Sequence, residues 1–192
     1  MSKVEVVPHD PRWRDAFHAE AKRVAAALGA CVVAVHHVGS TAIPGIHAKP
    51  VIDLLVEVAD LAGVDAQVPA MESLGYETMG EYGIPGRRYF RRDDREGTRT
   101  HNLHAFRAGS GEVERHLAFR DYMIAHPAEA RDYGELKRKL AAEHPRSMDG
   151  YMDGKDGFIR EMDRRAARWR GSHAGSRPQP GESPGGAARQ QG

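Results

Sequence analysis

Cysteine is nearly missing from this sequence: Cys31 stands alone. One thiol excludes an internal disulfide and a multi-thiolate zinc site. Cys31 opens the apolar run CVVAV with no cationic neighbour to activate it, so it reads as a small core hydrophobe rather than a nucleophile. No apolar run is long enough to cross a bilayer. The opening MSKVEVVPHDPRW lacks the apolar stretch of a signal peptide. A cytoplasmic protein with no membrane partner is therefore expected. Charge excess is missing too: 28 Lys and Arg stand against 27 Asp and Glu. No basic block is present of the kind that follows a nucleic-acid backbone, so nucleic acid is not an expected partner. The densest basic cluster, Arg87, Arg88, Arg91 and Arg92, is followed at once by Asp93, Asp94 and Glu96. It reads either as a solvated hairpin or as one or two arginines facing an anionic ligand.

What remains is ordinary for a globular chain: 192 residues, 40% hydrophobic and 29% charged. That is enough for one domain with a hydrophobic core, expected over residues 1–170. Residues 171–192, GSHAGSRPQPGESPGGAARQQG, hold no large apolar side chain and read as a disordered tail. Asp10-Pro11 marks a helix start, Trp13, Phe17, Ala21, Val24 and Leu28 recur at helical spacing, and Gly29 can stop the helix. Val32–Val38 and Val51–Val58 read as strands flanking a loop with Gly39, Pro44 and Gly45. A second helix is expected from Leu61 to Leu74, stopping at Gly75. Residues 87–92 and 98–106 predict an antiparallel hairpin turning at Asp93–Gly97. Three apolar stripes follow: Val113, Leu117, Arg120 and Ile124; then, beyond Pro127, Tyr133, Leu136 and Leu140; then Phe158, Met162, Ala166 and Trp169. The expected fold class is α/β (α+β), a mixed sheet with one crossover helix and a helical C-terminal third.

The chemistry concentrates in HVGSTAIPGIHAKPVIDLLV, residues 37–56. A strand ends in Gly39-Ser40, where glycine lets backbone approach a ligand and a turn exposes N–H groups suited to phosphate oxygens. Ser40 and Thr41 add hydroxyls. Asp53 then lies inside an apolar strand, and a buried carboxylate is costly unless paired, hydrogen-bonded or metal-bound. Lys49, before Pro50, can reach a phosphate as a point charge or stand as a solvated loop lysine. Of His36, His37 and His47, at most one is expected in the pocket.

This string resembles the signature of the GrpB family, within the nucleotidyltransferase superfamily. The opening VVPHDPRW, the segment RTHNLH ending at His104, FRDY at 119–122 and KDGFI at 155–159 match that family as well. The resemblance spans the whole folded part and implies a nucleotidyltransferase-like fold. It implies transfer of a nucleotidyl group from a nucleoside triphosphate to an unknown acceptor, with Mg or Mn held by acids on the Asp53 strand. In that superfamily two acids two residues apart bind the metals. Here Leu55 occupies the second position, and Glu57 is about 13 Å along the strand. His104 is the candidate replacement, as metal ligand or general base, against a reading as a satisfied core histidine. Arg88 and Lys155 are further phosphate candidates. The alternative is a catalytically degenerate nucleotide-binding or accessory domain. GrpB-like domains joined to dephospho-coenzyme A kinase suggest a link to coenzyme A biosynthesis. The chain lacks a P-loop and so is not that kinase.

Overall fold

The structure is a computed structural model and describes residues 4–173. Helix α1 covers Arg12–Leu28 and buries Trp13, Phe17, Val24 and Leu28, the expected stripe, with Glu20 among them. Gly29 ends it at φ 66°, a left-handed conformation that favours glycine. Strands β1 (Val32–Val38) and β2 (Ile52–Val58) follow. The region expected as one helix is two, α2 (Leu61–Ala66) and α3 (Val68–Ser73). Pro69 lies in the first turn of α3, where its missing N–H costs nothing; continuing α2 through it would have cost a hydrogen bond.

Strand β3 (Glu77–Thr78) is too short to have been anticipated. Strands β4 (Arg88–Asp93) and β5 (Arg99–Arg107) form the expected hairpin, shifted one residue. The Asp94 carboxylate accepts the Glu96 and Thr98 N–H groups, and Gly97 has φ 79°.

Helices α4 (Gly111–Ala125), α5 (Pro127–Glu143) and α6 (Met148–His173) complete the chain. Ile124, expected on the apolar stripe of α4, is exposed instead. Helix α6 runs to His173; the remainder of the Gly, Ser and Pro-rich segment, 174–192, lies outside the described residues.

The sheet order is β1-β2-β5-β4-β3, with β2 parallel to β5 and every other pair antiparallel. This is the mixed α/β sheet the sequence predicts. Alternation divides the side chains between two faces. Leu54, Val56, Leu103 and Phe90 pack against α1, Val64 and Met71. Val38, Leu55 and Phe106 pack against Val113 and Leu117 of α4. Helices α4, α5 and α6 share a second cluster with Ile43 and Ile46 of the loop before β2.

Candidate functional site

The site forms where β1 ends and β2 and β5 begin. Register puts Val38 opposite Asp53, and Asp53 opposite Asn102. Gly39 takes φ 72°, ψ −172°, and a Cβ there would collide with the Asp53 carboxylate. Glycine is required twice over: by the backbone and by the acid lying on it. Asn102 Nδ2 donates to Asp53 Oδ1 at 2.8 Å, and the Tyr89 hydroxyl donates to Asn102 Oδ1 at 2.8 Å. Arg99 reaches the same Asn102 oxygen at 3.3 Å.

Thr41 is buried; its hydroxyl donates to the Val51 carbonyl (3.1 Å) and meets His37 Nε2 (2.9 Å). It therefore ties the turn to β2 and has no free hydroxyl for a phosphate. Ser40 is half-buried, and its hydroxyl lies near that of Tyr133, whose pKa it draws down against the rise from burial.

Asp53 keeps some solvent access but is otherwise enclosed, and this burial pushes its pKa up to about 6. The Asn102 hydrogen bond and then Lys155, Lys49 and Lys137 oppose that rise. All three lysines act on Asp53 through space rather than by a direct ion pair. Lys137 comes from α5 and is 1% exposed, with no hydrogen-bond partner for its Nζ, which sits 4.4 Å from the Tyr133 ring centroid. Burial, then repulsion from Lys155, lowers it to about 7. Lys155, on α6 over the Tyr151 ring, is lowered by burial to about 8. Lys49, on the loop with its Nζ 3.6 Å from Met148 Sδ, is also lowered by burial. Gly134 lets α5 approach closely enough: a Cβ there would press on His47 N and Ile46 Cβ at 3.2 Å.

Asp53, Gly39, Ser40, Lys49 and Lys155 are thus brought together. Arg88 is not: it lies on the opposite face, bound to Asp65 at 2.5 and 2.8 Å. Its strand parity differs from that of Tyr89, which faces the site. His104 has the right parity but stands opposite Leu55, two residues beyond Asp53. It stacks on Tyr89 (5.2 Å), contacts Arg87 (3.4 Å), and burial drives its pKa down to about 3, the state of a packed neutral imidazole. Sequence reasoning missed Lys137, Tyr133, Asn102, Tyr89 and Arg99. Lys137 had a usable signal: it falls one helical turn after Tyr133 and three residues before Leu140, on the apolar stripe.

A pair of resident divalent metals does not fit this donor set. Asp53 is one carboxylate, already hydrogen-bonded at Oδ1, with three lysines acting on it through space. Leu55, where the second acid would stand, is fully buried in the apolar cluster with Phe106 and Leu117. Among the described residues no three His, Cys, Asp or Glu are disposed to hold a metal ion. The chemistry that does fit is a polyanion, which would supply the oxygens these lysines lack. A surface groove of 740 Å3 between α4 and α6 includes none of these residues.

A glycine-serine turn and a strand-borne acid on a mixed sheet, under a helical layer that adds lysines, define an α/β protein with a lysine-rich polar cluster around one acid. The chain belongs to the GrpB family, whose model, described as GrpB protein, matches residues 3–165. It is 42% identical to the UPF0157 protein YqkA of Bacillus subtilis over 88% of this chain and 48% of that one, so the chain spans about half the length of that relative. It is 32% identical to the glutamate-rich protein GrpB of Alkalihalophilus pseudofirmus, over 83% of this chain and 94% of that one. The crystal structure of conserved protein GrpB from Enterococcus faecalis superposes with a TM-score of 0.82 at 41% identity, covering 86% of this chain and 98% of that one. A dephospho-CoA kinase of Mycolicibacterium paratuberculosis is 30% identical over 86% of this chain and 46% of that protein. No helix among the described residues is long and apolar enough to cross a membrane.

Proposed function

We propose that a nucleoside triphosphate binds over the Gly39-Ser40 turn and Asp53, with Lys49, Lys137 and Lys155 receiving its phosphates. The observation that carries this reading is the Lys137 amine, buried without a hydrogen-bond partner near the half-buried Lys155 and one acid. An unpaired buried charge is expensive, and a bound anion removes the expense. The lysines supply in fixed form the charge compensation that metal ions supply in the wider superfamily.

Nucleotidyl transfer to an acceptor is the activity this site would perform. An acceptor hydroxyl would attack the α-phosphorus, its proton would pass to Asp53, and pyrophosphate would leave. A carboxylate with pKa near 6 suits that proton acceptor at neutral pH. Equilibrium binding of labelled triphosphates, with EDTA or with Mg or Mn, tests the first claim. Binding that survives EDTA and falls at least about tenfold in Lys137→Met supports it; no binding at millimolar ligand sinks it. Incubation with a pool of acceptors tests the second, because turnover abolished in Asp53→Asn marks an enzyme. Binding retained in that variant with no turnover marks a nucleotide-binding domain. The match to about half of a dephospho-CoA kinase favours that accessory role, and co-purification with such a kinase would support it.

A further inference from the structure

A second cavity lies on the far side of the Gly39–Ala42 turn. It is a groove of 640 Å3 along the free edge of β1, between the start of α1 and α4. Its polar lining is His9, Arg14, His18, His36, His37 and Arg120. Phe17, Val35 and the exposed Ile124 form apolar wall. The carboxylate in the lining, Asp121, is held by Arg120 at 2.7 Å and Arg170 at 3.1 Å. Glu57, the acid nearest His36, is bound to it at 2.7 Å.

Arg14 and His18 are exposed on the groove rim, Arg14 makes no ion pair among the described residues, and His9 Nδ1 is buried with no hydrogen-bond partner. These histidines are not placed to hold a metal ion together: among the described residues no three His, Cys, Asp or Glu are so disposed. Guanidinium and imidazole donors around an apolar wall are instead what an organic anion requires.

We propose that this groove binds a small organic anion, a carboxylate or a phosphate monoester, at a site distinct from the Asp53 site. The assignment does not depend on the nucleotide reading. Arg14 and His18 supply donors from α1, and His36 and His9 close the other sides. The bound anion lies against Thr41 and Ala42 of the Gly39–Ala42 turn. Arg120 Nη1 donates to the His37 carbonyl at 3.2 Å, and the His37 ring meets the Thr41 hydroxyl. The groove and the Asp53 site thus share the backbone from 37 to 41.

The test uses the full chain labelled in its histidine rings, followed by NMR during separate titrations with inorganic phosphate and with succinate at constant ionic strength. The expected result is saturable, concerted movement of the His9, His18 and His36 signals with half-saturation below roughly 10 mM. The anion that saturates at lower concentration identifies the class. Arg14→Ala should weaken the effect at least about tenfold, while Lys155→Ala should leave it intact. Three results overturn the proposal: no saturable movement with either anion, equal movement with chloride, or movement abolished by Lys155→Ala and kept in Arg14→Ala. The last would put the anion at the Asp53 site.

Discussion

Each face of the sheet carries a buried polar cluster, and the two are built on opposite rules. Against α1, Glu20 is 4% exposed and is met by Arg92 (2.7 Å), Arg23 (2.9 Å) and the Tyr76 hydroxyl (3.1 Å). Arg92 also reaches His101 at 2.9 Å. Every group there has a partner within the chain. Against α5 and α6, Asp53 has one neutral partner, three lysines act on it only through space, and Lys137 has no hydrogen bond. A closed network fixes structure; an open one of the same depth keeps capacity for something that arrives from outside.

The largest effect that would sharpen this contrast is on the closed side. Glu20→Ala leaves Arg92 buried and unpaired and should cost about 3–5 kcal/mol of stability by urea unfolding. Nucleotide binding by the folded fraction should be unchanged. A loss no larger than that of a surface pair would break the comparison. Next, Lys137→Met should raise stability by about 1–2 kcal/mol while nucleotide affinity falls, the trade expected where a strained group serves a ligand. Destabilisation instead would show that Lys137 is structural.

The pH dependence is smaller over any one unit, at most about 1.4 kcal/mol per pH unit for a single proton. Lys137 has a folded pKa near 7 against an ordinary 10.5. Between those values the unfolded chain holds a proton the folded chain has released, so stability rises with pH across that window. The stabilising contribution disappears as pH falls through about 7. Asp53 is opposite in sign: between 3.8 and about 6 the folded chain holds the extra proton, so stability falls as pH rises through that range. Urea midpoints across pH should lose the first slope in Lys137→Met and the second in Asp53→Asn. The smallest change is expected for Arg88→Ala, under about 1 kcal/mol, with unaltered binding, because its partner Asp65 is exposed.

The sheet was legible because its strands carry their own pattern. The β-branched run of β1 ends at Gly39, whose positive φ marks the turn, and Asp94 and Gly97 close the hairpin locally. The site was legible only along β1, the turn and β2, where glycine, serine and acid sit close in sequence. Lys49 and Lys155 could be named as candidates, but not placed. Lys137 was passed over because a lysine in a helix normally lies on the solvated side, although its place between Tyr133 and Leu140 put it on the buried stripe. Arg88 and His104 depended on register, which the sequence does not state: one residue of offset changes the face, and two change the distance along it. The break before α3 could have been read from Pro69.

Gly39 and Asp53 occupy one volume, since nothing larger than a hydrogen fits between the turn and the carboxyl group. Neither can be moved without the other taking notice. A molecule that lifts the backbone at 39 frees the acid to swing, and one that draws the acid aside slackens the turn. Occupancy on one side of this contact is felt on the other with no intermediary, as with two leaves of a hinge on a common pin.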